Sequence, residues 1–336
     1  MRRVIIAIVL AFLFLPKFLL SQDTFPTARL KFDTRFDFTS IVPTQDNSST
    51  LSSFDGRYLN ILLEGEISDK FSYNYRQRMI LDSKFDYQSF FNATDWMYLS
   101  YKINKNFSFS AGKQIVAIGG FEYDAAPIDL YFWSNFWNNV ICYQIGGTVS
   151  YKTTDEKHTI GLQVTNSPFA TQTLQSIYSY NLIWYGNFNG FNSIYSLNRI
   201  EVEKDNFINY ITLGNKFSIN NLSIEVDLMD RFFDQQSKPL SDYSVIGNVK
   251  YAVNNKIKLF VKTGYDQNKA QKPADFFIYD RFVEPGTEYF FYGLGAEYYP
   301  LGSKDVRIHA AWATNNDQLQ NHTFNIGVRW QMNILK

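Results

Sequence analysis

The 336-residue chain has a single cysteine, Cys142. That excludes a disulfide framework and any zinc site built on cysteine pairs. It has three histidines, His158, His309 and His322. None has the i, i+4 spacing of a helical metal pair, and no HExxH, GxSxG or phosphate-loop GK[ST] pattern occurs. Positive charge is not in excess: 32 Lys and Arg balance 32 Asp and Glu. A nucleic-acid binder would need such an excess. Charged residues make up only 19%, below the roughly 25% of a soluble domain. Beyond residue 22 no apolar run approaches the ~20 residues of a spanning helix, and mean hydropathy is −0.25. The expectation is a protein without catalytic residues, cofactor or metal.

The N-terminus has the layout of an export signal. Arg2 and Arg3 precede the apolar run Val4 to Leu15, which Pro16 and Lys17 interrupt. Leu19 and Ser21 then stand at −3 and −1 of a cleavage site before Gln22. The expected division is a signal peptide over 1–22 and one domain over 23–336.

Aromatic residues are abundant, 18% of the chain, and they sit in segments that alternate with period two. In residues 28–38, ARLKFDTRFDF, Leu30, Phe32, Phe36 and Phe38 share one face. Arg29, Lys31, Asp33, Arg35 and Asp37 share the other. Such a strand has one apolar and one charged face. A soluble sandwich would bury the apolar face; a membrane barrel would turn it to lipid and the charges to a wet lumen. About 16 such segments begin near residues 28, 57, 71, 95, 107, 141, 158, 179, 193, 207, 221, 243, 256, 289, 306 and 323. Those near 179 and 193 alternate least clearly.

Connection lengths separate the two architectures. Short Asn-, Asp- and Gly-rich connections near 69, 104, 153, 187, 219 and 254 alternate with long ones over 39–56, 82–94, 115–140, 166–178, 229–242 and 265–288. Outer-membrane barrels have short periplasmic turns and long external loops. The connection near 201–206 is an exception, short where a long one belongs. The expected fold is therefore all-β, a transmembrane antiparallel β-barrel of about 16 strands in the outer membrane of a Gram-negative cell.

Face assignment then describes the lumen. Inward bases include Lys31, Arg35, Arg76, Arg78, Lys258, Lys262, Arg307 and Arg329, and they outnumber inward acids. The compensating acids are expected in loops, among them Asp155, Asp234 and Asp242. A basic wall would attract anions, and Arg76 and Arg78, two apart on one face, would form steps of a phosphate path. The connection 115–140 carries more aromatics than a solvated loop supports. It either folds into the barrel or packs at a subunit interface. Gly119 and Gly120 permit a sharp turn there. Glu122, Asp124 and Asp129 bring carboxylates that line the constriction, bind a divalent cation or pair with Lys113.

The stretches FSYNYRQRMIL (71–81) and GKQIVAIGGFEYD (112–124), with the closing FNIGVRWQMN (324–333), resemble the phosphate-selective porin O and P family. The resemblance implies a 16-stranded barrel, commonly a homotrimer, passing phosphate or other small anions. It also implies lumen arginines and a basic cluster near the constriction, carried here by Arg76, Arg78 and Lys113. The acidic loop departs from that pattern. The functional expectation is a passive channel for small anionic solutes in outer-membrane lipid. The alternatives are a general or other-solute porin, or a closed surface barrel with an adhesin-like or structural role.

Overall fold

The computed structural model describes residues 26–44, 49–79, 91–170, 175–234, 240–270, 278–316 and 321–335. The segment 1–22, expected to be a signal peptide, lies outside them.

The described residues form sixteen antiparallel strands in one closed barrel. In chain order they are β1 (Arg29–Pro43), β2 (Leu51–Glu66), β3 (Phe71–Arg78), β4 (Thr94–Lys102), β5 (Phe107–Ile115), β6 (Tyr143–Lys152), β7 (His158–Asn166) and β8 (Tyr178–Phe188). Then follow β9 (Phe191–Glu203), β10 (Asn206–Ile219), β11 (Leu222–Phe233), β12 (Asp242–Ala252), β13 (Ile257–Asn268), β14 (Glu288–Tyr298), β15 (Val306–Asn315) and β16 (Asn321–Leu335). Each strand pairs with its sequence neighbours, and β1 closes on β16 from Leu30↔Leu335 to Pro43↔Asn321. Closure leaves no strand edge, so every ladder position finds a partner without water.

The expected starts hold within a few residues, except that β2 begins at Leu51. The connections also sort by end. Residues 103–106, 189–190 and 253–256 are short; 79–93, 116–142 and 269–287 are long. Those between β1 and β2 and between β11 and β12 are shorter than expected, because the strands run on into them. The β9–β10 turn, residues 204–205, is the short exception at the long-connection end; it needs only Asp205 at φ 64.

The outer face is an apolar band. Leu99, Ile145, Leu162, Leu197, Val261, Leu294 and Ile326 all point outward and are exposed. A folded surface in water rarely carries so continuous a patch, whereas lipid favours it. Near the short-turn end aromatic rings pair across strands: Phe71 with Tyr101 at 4.8 Å, Phe107 with Tyr151 at 4.9 Å and Phe191 with Phe217 at 5.0 Å. Aromatic rings at strand ends form such girdles at the headgroup level.

The interior is not uniformly polar. Ile200 and Val202 of β9, Ile208 and Tyr210 of β10 and Met229 of β11 point inward. They pack with Val116, Ile118 and Phe136 of the long β5–β6 connection and with Phe169, Phe282 and Val283 of two others. Apolar residues on both faces of β9 explain its blurred alternation.

Val261, exposed on the outer face between Val249 and Leu294, tests this orientation. Val261→Arg is expected to lower stability in lipid vesicles by about 2–4 kcal/mol, read from urea titration of refolding into bilayers.

Candidate pore constriction

Residues 116–142 turn into the barrel and cross it. They contain two short helices, α1 (Phe121–Asp124) and α2 (Asn135–Asn139), with a 3-10 turn (Pro127–Asp129) between them. On one side the segment is held by β7 to β11. Gln163 accepts from the Ala117 N–H at 2.7 Å, Ser196 Oγ from the Gly119 N–H at 2.8 Å, and the Asn198 amide donates to the Ala117 carbonyl at 2.8 Å. The Asp227 carboxylate accepts the N–H groups of Phe121 and Glu122, both at 2.8 Å. These are the free donors at the start of α1, and a carboxylate there satisfies both their hydrogen bonds and their partial charge.

The opposite wall holds the second half. Arg35 donates to the carbonyls of Ile128 and Leu130 at 3.1 and 2.7 Å, and Arg307 to that of Ile128 at 3.0 Å. Lys262 reaches the Phe132 carbonyl at 2.9 Å, and Asp266 accepts the Asn135 N–H at 2.6 Å. The aromatics of the segment are therefore largely covered within the barrel. Phe136 packs on Tyr210 and Phe282, and Tyr131 stacks on Phe260 at 5.1 Å. The turn into the lumen depends on two glycines. Gly120 sits at φ 99, where only glycine is relaxed, and a Cβ on Gly119 would come within 2.8 Å of the Ile194 carbonyl.

Residues 28–191 match the sequence model of the phosphate-selective porin O and P family. Over that stretch, just under half of the chain, the sequence is similar to that family. The match covers β1 to β8 and the crossing segment. A comparison with curated proteins returns no match. Solved structures with the same fold include the outer-membrane channel DcaP of Acinetobacter baumannii, at 8% identity and TM-score 0.66, covering 93% of this chain and 99% of that one. The anion-selective porin of Comamonas acidovorans aligns at 10% identity and TM-score 0.62, covering 92% and 100%. OmpT of Vibrio cholerae in its trimer form aligns at 12% identity and TM-score 0.61, covering 91% and 99%. At these identities the likeness establishes the porin barrel and nothing finer.

Most of the arginines that face the lumen are tightly paired. Arg35 is 2% exposed and forks onto Asp37, 2.7 Å away. Arg329 forks onto Asp33 with both contacts at 2.8 Å. Lys262 meets Glu122 at 2.6 Å. Arg307 meets Asp129 at 2.5 Å and Glu297 at 3.5 Å. Arg76 and Arg78 share Asp95 at 2.9 and 2.6 Å, and Arg76 lies 4.7 Å over the Trp96 ring. Asp95 is fully buried and Arg76 nearly so, while Arg78 is 35% exposed, so the two arginines share one buried carboxylate instead of standing as two open steps. Lys31 and Lys258, by contrast, have no carboxylate within salt-bridge reach among the described residues; Lys258 lies 4.8 Å over the Tyr299 ring.

Lys113 does not join the lumen. Its neighbour Gln114 points inward and bonds the Gly146 carbonyl at 3.0 Å. Lys113 therefore points outward, opposite Met97 and Ile145, and its ammonium donates to the Phe91 carbonyl at 3.0 Å. Strand parity alone dictates this, since one residue along a strand changes the face.

The three loop carboxylates part company. Glu122 is buried and holds the Ser134 N–H at 3.1 Å as well as Lys262. Asp124 is exposed and in the field of Lys216; burial of its surroundings raises its pKa. Asp129 pairs with Arg307; burial raises its pKa, but the guanidinium outweighs this and holds it below the ordinary value. That pair therefore persists down to and below the ordinary aspartate range, near pH 3.9. The carboxylates share no cation and do not meet Lys113.

Several determinants were not singled out from the sequence. Asp95 reaches both arginines because the β3–β4 register shifts between Arg76 and Gln77. Asp242, expected in a loop, lies on β12, with Arg231 at 2.6 Å, and Arg231 also meets Asp280 at 3.1 Å. Asp227 and Asp266 anchor a segment more than a hundred positions away in sequence, a role no local pattern displays.

Two substitutions follow from these contacts. Asp227→Ala strips the acceptor from two buried N–H groups. It should cost on the order of 3 kcal/mol and raise single-channel conductance as the segment loosens. Arg76→Ala with Arg78→Ala leaves Asp95 buried and unpaired, so a loss of about 3–5 kcal/mol in refolding is expected.

Proposed function

We propose that this porin is a passive outer-membrane channel for small anions. The observation that carries the reading is a chamber of about 550 Å³ lined by the crossing segment and the barrel wall. Eight Lys and Arg side chains line it, among them Lys31, Lys250, Lys258 and Lys304, against three acids, Asp33, Asp129 and Glu297. Arg307, Arg329 and Lys262 are committed to partners. Lys31, Lys258 and Lys304 have no acid in salt-bridge reach among the described residues. A narrow, low-dielectric chamber with uncompensated ammonium groups concentrates anions, and mobile lysines release them again. No bond is made or broken, so the mechanism is diffusion down a gradient and needs no cofactor.

The family's name supports phosphate as one such solute. The trimer form of the Vibrio cholerae relative supports a homotrimer here. Export by the segment 1–22 into a Gram-negative outer membrane completes the reading. One observation favours the closed-barrel alternative: the crossing segment is fastened to both walls.

Single-channel current across a planar bilayer under a KCl gradient decides between them. The expected reversal potential has the anion-selective sign and shrinks as salt rises. Lys31→Glu with Lys258→Glu is expected to abolish or reverse it without loss of folding. Cation selectivity in the unmodified porin would refute the anion reading, and a folded barrel without current would favour the closed one.

A further inference from the structure

At the long-connection end three acids converge on one base. Arg231 of β11 is fully buried. Its Nε lies 2.8 Å from Asp242 of β12 and 3.1 Å from Asp280, in the segment preceding β14. One nitrogen touches both carboxylates, so Asp242 and Asp280 stand against each other. The third acid is Asp266 of β13. Arg231 donates to the Ser244 hydroxyl at 2.7 Å, and that hydroxyl donates in turn to Asp266. Asp242, Asp266 and Asp280 are all buried, and Arg231 is the one base in salt-bridge reach of them among the described residues. Fully ionised, the group would carry an excess of two negative charges away from water. Buried carboxyls in that position hold a proton instead of ionising together.

The other titratable groups packed here do not supply the missing charge. Tyr210 of β10 faces Asp280, and Glu122 faces Asp266 but is paired with Lys262. Arg281 and Tyr279 flank Asp280 in the chain, and Arg281 donates to the Phe169 carbonyl. The cluster also holds backbone. Asp280 accepts the Phe282 N–H at 2.9 Å, which seats Phe282 and Val283 as a wedge in the barrel mouth. Phe282 stacks on Phe169 at 4.3 Å and meets Phe136 of α2 edge-on at 6.2 Å. Its carbonyl accepts from the Asn139 amide of α2 at 3.0 Å. Asp266 accepts the Asn135 N–H, and Arg231 lies 5.5 Å over the Phe136 ring. One cluster therefore fastens both the wedge and the crossing segment.

We propose that these carboxylates form a proton-operated latch: a proton shared by Asp242 and Asp280 keeps the wedge seated on the crossing segment, and its loss to water releases the wedge and widens the pore. The effect on the pore rests on the channel reading; the latch itself does not. Its direction follows from the two states. Seated, Asp280 is buried, which raises its pKa. Released into water, it returns to the ordinary aspartate value of about 3.9. The seated state therefore has its full advantage below that value and loses it as pH rises through the raised one. Acid holds the latch closed and alkali opens it.

Hydrogen exchange of the full-length barrel in lipid vesicles tests the latch without requiring conductance. It is followed by mass spectrometry from about pH 5 to about pH 9 and corrected for the intrinsic pH dependence of exchange. Protection of the amides at 282–287 is expected to fall by up to about tenfold per pH unit above the transition, while those of β1 keep theirs. Asp280→Asn stays neutral at every pH and still accepts the Phe282 N–H, so it should flatten that fall. Asp242→Asn should do the same and stands in if the first variant fails to fold. Single-channel conductance of the unmodified barrel should rise over the same range. Protection that is independent of pH or rises with it, or a fall as steep in the folded Asn variants, would overturn the latch. Protection lost while the current stays constant would overturn its control of the pore, whereas a barrel without current at any pH would count against the channel reading alone.

Discussion

The hydrogen bonds between β1 and β16 are the constraint on which the rest depends. A chain that faces lipid has no water to satisfy its peptide groups, so the sheet must close or fail. Closure at Leu30↔Leu335 through Pro43↔Asn321 removes both edges at once. It also fixes which residues look inward, because the two faces of a strand alternate without slack. Every charge pair across the lumen inherits its position from that register.

Closing sixteen strands creates an interior too wide for wall side chains to fill. The protein fills part of it with its own chain. The segment 116–142 contributes apolar residues to a core against β9 to β11 and backbone groups to the charged residues of the far wall. Many buried charges are therefore structural. Arg35, Lys262 and Arg307 each satisfy a carboxylate and a backbone carbonyl together, which is how a buried cation offsets its desolvation. What this packing leaves without a carboxylate partner among the described residues is a set of lysines, Lys31, Lys258 and Lys304, on one side of the segment.

Much of the architecture was legible from periodicity. The residues of β1, β13 and β16 alternate so cleanly that face and strand follow directly. β9 did not, because its inward Ile200 and Val202 pack against loops that come from elsewhere in the chain. The lumen bases were legible too, but their state was not. Arg76 and Arg78 read as an open path until a register shift brought Asp95 between them. Lys113 read as part of a basic cluster by family resemblance, and its parity with Ile115 places it outside.

By itself, the sequence determined that this chain spans a membrane as a barrel, since an alternating apolar face, sorted connection lengths and the lack of a spanning helix are local properties of short segments. Tertiary structure alone decided which charges are free. Pairing depends on distances between residues such as Arg307 and Asp129, or Asp227 and Phe121, that lie more than a hundred positions apart. Those distances exist only once the barrel has closed around its own connecting segment.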